Sequence, residues 1–81
     1  MESKIKNWNI ENNKLTRDFS FENFIEAIKF VNSVAEVAQN MNHHPDIYIF
    51  FNKVKLTLFT HSENKITDKD YQLAEKISEI R

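Results

Sequence analysis

Apolar residues along the chain recur with two different periods. Phe24, Ala27, Ile28, Val31, Val34, Ala35, Ala38 and Met41 return every three or four positions, which predicts one apolar stripe on an amphipathic helix. Ser20 is placed to cap this helix, since a serine hydroxyl accepts a free N–H of the first turn. Phe19 and Phe24 are spaced for a hydrophobic staple. The helix is expected to run from about Phe21 to Met41 and to end near Asn42, because Pro45 drives His44 toward extended geometry. Ile25, Phe30 and Val37 are left for its outer side.

Elsewhere the period is two. "KLTRDF" alternates at Leu15, Arg17 and Phe19, which suits a half-buried strand. The segment before it, Lys4 to Ile10, has Trp8 as its one large anchor, and Asn12-Asn13 is the expected turn between the two. After Pro45, "DIYIFF" and "VKLTLFTH" flank the dipeptide "NK" and read as a hairpin turning at Asn52-Lys53. In its second strand Val54, Leu56 and Leu58 face one side; Lys55, Thr57, Phe59 and His61 face the other. Thr67 is placed to cap a second helix, with Asp70 in the capping-box position, Ile66 and Tyr71 as a staple, and Leu73, Ala74, Ile77 and Ile80 as the stripe. The order β-β-α-β-β-α predicts an α+β fold: a four-stranded antiparallel sheet with two helices packed on one face.

Composition narrows the function. At 81 residues the chain is expected to be one domain, residues 1–81. A chain this short buries only about 60% of the surface its unfolded form exposes, so self-association is expected. The formal charge is −1 with both signs interspersed, which argues against direct nucleic-acid binding. The chain has no cysteine, which excludes a disulfide framework and thiol catalysis. No secretory signal is expected, and no apolar run approaches the roughly 18 residues of a membrane helix; a cytoplasmic location is expected. Glycine is absent too, so positive φ angles fall to asparagine, the next most tolerant residue. Asn12, Asn13, Asn52 and Asn64 stand where turns are wanted.

All three histidines lie in two short stretches, "NHHPD" and "TH". In a hairpin turning at Asn52-Lys53, residue 46 pairs near residue 59 or 60, so His61 returns beside His43 and His44. Three purposes are open to such a cluster. The imidazoles are surface groups; or they hold a metal, although vicinal histidines are poorly disposed to share one ion and no further ligand pattern supports it; or they transfer protons, since imidazole titrates near neutral pH. Asp70 is accounted for by its place in the cap, and is equally able to orient a histidine.

From "FSFENF" to "LAEKI" the chain resembles the pterin-4a-carbinolamine dehydratases. The resemblance rests on His43-His44-Pro45, Phe51, Thr60-His61 and Asp70-Tyr71 at the family's spacing, with Trp8 similar to its early tryptophan. It implies dehydration of a 4a-hydroxytetrahydropterin to quinonoid dihydropterin and water, as tetrahydropterin is recycled after aromatic amino-acid hydroxylation. It implies His43, His44, His61 and Asp70 as the catalytic set, and a pterin pocket lined by Asn42, His43, His44, Phe59, Thr60, His61 and Ser62. No metal and no cofactor are implied. The implied partners are the pterin, further copies in a homodimer or homotetramer, and in some members a transcription factor. Gln39 stands where the family has an acidic residue, so it hydrogen-bonds an imidazole without stabilising an imidazolium by charge; a non-catalytic pterin-binding relative is the alternative. Lys65 replaces the usual glycine of the last loop, leaving Asn64 to supply the left-handed residue.

Overall fold

The structure, a computed structural model, describes residues 2–81. Its elements are β1 (Asn9–Glu11), β2 (Lys14–Ser20), α1 (Phe24–Met41), β3 (Asp46–Phe50), β4 (Lys53–Leu58) and α2 (Asp68–Ile80). The sheet has the order β1-β2-β4-β3, every neighbouring pair antiparallel. Leu15, Phe19, Val54, Leu56 and Leu58 form one core with Ala27, Phe30, Val34 and Ala38 of α1 and Leu73, Ala74 and Ile77 of α2. Both helices therefore cover one face, and the expected α+β architecture is the one observed. No described helix is long and apolar enough to cross a membrane.

The first turn follows the asparagine argument. Asn12 and Asn13 sit at φ 51° and 63°, between paired Glu11 and Lys14. Two residues at positive φ twist a tight hairpin to match its strands. Asn64, at φ 55°, supplies the left-handed residue of the last loop, also as expected.

Helix α1 departs from expectation at its start and in its rotation. Ser20 is the last residue of β2 and pairs with Lys53, so it is not the cap. The cap is Asn23, whose Oδ1 accepts from Glu26 N–H at 2.9 Å. Phe21 stays out of the helix because three contacts hold it. Its N–H donates to Asn52 O at 2.8 Å, its carbonyl accepts from Asn52 Nδ2 at 2.9 Å, and its ring lies 5.1 Å from Phe30. Each bond contributes about 0.5–1.5 kcal/mol, more than extending a helix by a residue gains. Phe24 is exposed, so the staple does not form.

The helix turns Phe30 into the core, 4.5 Å from Phe19, and leaves Ala35 exposed. Positions 27, 30, 34 and 38 satisfy the helical period as well as the expected stripe does. They bury a phenylalanine where that stripe would bury an alanine, and the larger apolar area decides. Phe30 therefore does not belong to the outer side.

The second hairpin turns at Phe51-Asn52, not at Asn52-Lys53, since Phe50 pairs with Lys53. Asn52 is pinned to Phe21 through backbone and side chain, so the left-handed position falls on Phe51, at φ 54°. Asp46 pairs with Thr57, two positions short of the expected register. A shift of two keeps every side chain on its face. An L-residue other than glycine costs roughly 1–2 kcal/mol in this conformation, and Phe51 is 71% exposed, so burial returns little. Phe51→Gly is expected to raise stability by about 0.5–1 kcal/mol, after glycine's own entropic cost. A urea midpoint that falls instead would mean that the ring stabilises the fold.

Helix α2 is fixed at both ends. Near its C-terminus Ser78 Oγ accepts from Trp8 Nε1 at 3.1 Å and from an Arg17 nitrogen at 3.3 Å. Trp8 is buried, and burial, then the nearby Arg81 charge, lowers the Arg17 pKa from its ordinary value. At its N-terminus stands the capping box of Thr67 and Asp70, and here the helix meets the histidines.

Candidate functional site

The end of α1 directs the first two histidines. Asn42 adopts φ 52° and ψ 40°. Its N–H donates to Gln39 O at 3.1 Å, and His43 N–H to Ala38 O at 3.1 Å. This pair of bonds is a Schellman closure, which satisfies carbonyls left over at the helix end. It reverses the chain just before His43, and Pro45 holds His44 extended into β3.

The third histidine comes from the other side. Strand β4 stops at Leu58, short of the expected end at His61. Thr60 N–H donates to Lys65 O at 3.1 Å and Asn64 N–H to His61 O at 3.2 Å, so His61 lies in a tight loop rather than on a strand. Because Asp46 pairs with Thr57, this loop returns beside the His43-His44 turn.

The three imidazoles line one cleft of about 300 Å³, together with Asn42, Phe59, Thr60, Ser62 and Lys69. All seven residues expected to contact a guest are on its wall. Lys69 is the lining residue the sequence reading missed. Its signal lay in its position: it precedes Asp70 in the first turn of α2, so it flanks the cap that faces the cleft.

Asp70 organises the interior side. Its carboxylate is fully buried and accepts from three groups: His43 Nε2 at 2.6 Å through Oδ1, and Thr60 Oγ1 at 2.7 Å and Thr67 N–H at 2.9 Å through Oδ2. Thr60 Oγ1 also lies 2.7 Å from Thr67 Oγ1. With the Thr60 proton committed to the carboxylate, Thr67 is the donor in that contact. One carboxylate thus serves both as helix cap and as histidine partner, the second of the two roles left open by the sequence.

Charge-assisted bonds of this kind are roughly twice as strong as neutral ones. Among the described residues no buried side-chain nitrogen or oxygen lacks a partner, which is what makes a buried carboxylate tolerable. Since a carboxylate only accepts, the proton lies on His43 Nε2 and Nδ1 is left for a guest. The His43 side chain is 14% exposed.

The other two rings are held differently. His44 Nε2 is 3.0 Å from Gln39 Oε1 at the exposed surface, so the glutamine does bond an imidazole. The His61 ring packs against Phe59, centroids 5.2 Å apart and planes at 73°. Among the described residues no group of three or more histidine, cysteine, aspartate or glutamate side chains is arranged to hold a metal ion.

Residues 1–80 match the family model described as pterin 4 alpha carbinolamine dehydratase. A protein of Sulfolobus acidocaldarius named "Putative pterin-4-alpha-carbinolamine dehydratase" is 46% identical over 78 residues, covering 96% of this chain and 86% of its own. One of the same name from Trichormus variabilis is 49% identical over 78 residues, covering 96% and 84%. The crystal structure of a transcriptional coactivator/pterin dehydratase from Brucella melitensis superposes with a TM-score of 0.88 at 35% identity, covering 94% of this chain and 83% of that one. A pterin dehydratase-like protein described as a RuBisCO assembly factor in the alpha-carboxysome shares the fold, with a TM-score of 0.73 at 18% identity over 86% of this chain and 83% of its own.

Proposed function

The chain belongs to the pterin-4a-carbinolamine dehydratase family, and from that premise we propose that it dehydrates a 4a-hydroxytetrahydropterin to quinonoid dihydropterin, by histidine acid–base catalysis without metal or cofactor. The observation that carries the reading is the convergence of His43, His44 and His61 on one cleft, with His43 locked to a buried carboxylate. The cleft volume lies at the small end of ligand sites, as a bicyclic guest requires.

The reaction is an elimination with no redox change. The C4a–O bond breaks, and the oxygen leaves with the electron pair and takes a proton from a protonated imidazole. The N5–H bond gives its pair to a new C4a=N5 double bond, and its proton passes to a neutral imidazole. Hydroxide is a poor leaving group, so a proton delivered as it departs accounts for about 10²–10⁴-fold of rate. Asp70 is the positioning carboxylate in this scheme: it holds the His43 ring and its tautomer. Asn42, Phe59, Thr60 and Ser62 contribute the remaining wall. The setting is cytoplasmic recycling of the tetrahydropterin cofactor.

The test is decay of a chemically generated 4a-hydroxytetrahydropterin with and without the protein. Acceleration that saturates with substrate is expected; no acceleration at all removes the enzymatic reading. Gln39 offers His44 an amide oxygen and no charge. Gln39→Glu is therefore expected to raise the rate severalfold, as a carboxylate favours the imidazolium. An unchanged rate would show that charge at this position does not limit turnover.

A second reading, as an interaction protein, is supported by exposed Phe24, Ile25, Phe50 and Phe51. β3 is the edge strand next to β4 and carries exposed Tyr48, Ile49 and Phe50. Unpaired apolar edges favour strand addition, so self-association as a homodimer or homotetramer belongs to the proposal. A foreign protein partner is the alternative occupant. Sedimentation with and without the pterin separates an assembled enzyme from a monomeric binding module.

A further inference from the structure

The three imidazoles are held unequally. His43 has a carboxylate partner and His44 an amide oxygen, each taking one ring nitrogen. The His61 ring, though exposed, has no hydrogen-bond partner among the described residues. What touches it is the Phe59 ring, edge to face at 5.2 Å. The residue between them, Thr60, turns inward to bond Asp70, which leaves Phe59 and His61 on the same outer side of the chain. The Phe59 ring is itself steadied from β2. Lys14 Nζ lies 5.2 Å from its centroid, brought there because Leu15 pairs with Leu58.

We propose that Phe59 is the positioning residue for His61, orienting its imidazole toward the cleft by edge-to-face packing. The proposal rests on the reading that His61 takes part in the dehydration. An aromatic neighbour suits this position for a chemical reason: it aims the ring without occupying either nitrogen. Both Nδ1 and Nε2 of His61 stay free for a guest, whereas His43 and His44 each offer one. An edge-to-face pair shifts a rotamer equilibrium by about two- to tenfold, and that is the size of effect expected on the rate.

The test uses Phe59→Leu, which keeps apolar bulk and removes the ring, with Phe59→Tyr as the conservative partner. Three-bond couplings across χ1 of the histidines give a readout independent of activity, because they report the side-chain rotamer and do not respond to the mere loss of a neighbouring ring current. In Phe59→Leu the His61 couplings are expected to move toward those of an averaged rotamer and those of His43 to stay, the latter reporting an intact fold. kcat is expected to fall about two- to tenfold, more than KM changes, and Phe59→Tyr to restore both readouts. The proposal is overturned if the His61 couplings of Phe59→Leu match those of the unsubstituted protein, or if only KM changes, which leaves Phe59 a wall and nothing more. Should the unsubstituted protein lack dehydratase activity, the functional reading fails while the couplings still decide what Phe59 does.

Discussion

His61→Ala is expected to reduce the dehydration rate by about 10²–10⁴-fold, the range for loss of a positioned acid–base group, and His43→Ala by a comparable factor. The two differ in what else they disturb. His61 is exposed, and its ring packs against Phe59 with no hydrogen-bond partner among the described residues, so its removal should leave stability within about 0.5 kcal/mol. His43 is the partner of a buried carboxylate, so its loss also leaves Asp70 with one oxygen unsatisfied. If both act in one reaction, removing them together costs little more than the worse single loss, since residues that act as a unit are not additive. Initial rates for the two single variants and the double variant, with Tm for each, carry the test. Single variants within about twofold of the unsubstituted protein would end the proposed chemistry, whatever the assay says of binding.

Asp70→Asn is expected to lower stability and to bring the rate down to that of His43→Ala. An amide has one acceptor oxygen and one donor group where the carboxylate has two acceptors. Turned one way, its NH2 meets the His43 Nε2–H. Turned the other way, it meets the Thr67 N–H and the Thr60 hydroxyl. Either orientation sets donor against donor in a fully buried place, or drives His43 into the wrong tautomer. Leaving such a donor unmatched costs about 1–3 kcal/mol. At about 4–8 °C per kcal/mol for a domain of this size, Tm should fall on the order of 10 °C. Rates compared below the lower Tm separate the chemical loss from unfolding. A variant with lowered Tm and unimpaired kcat would reduce Asp70 to a cap.

Much of this arrangement was legible before the structure, and the illegible parts share a cause. The Asn12-Asn13 turn, the Thr67–Asp70 cap, the buried face of β4 and the company of the three histidines follow from local chemistry or from hairpin register. Register survived an error of two because the strand period is two. The start of α1 was not legible, because Phe21 is held by Asn52, 31 residues away, while Ser20 is a good cap by local criteria. Phe51 carries no turn signal at all; it takes the left-handed place because that same pairing pins its neighbour. The rotation of α1 was undecidable from spacing, since two overlapping stripes fit one helix and only the packed core reveals which face holds Phe30. Asp70 had two readings by sequence, and only the fold could make them simultaneous.

That double duty makes the first turn of α2 a point of failure shared by architecture and chemistry. Local opening costs less than global unfolding, and an opening of this turn would carry Thr67 and Asp70 away together. His43 then loses its anchor while the four strands and most of the core stay assembled. On warming, the orientation of the His43 ring is therefore expected to be lost before the sheet comes apart.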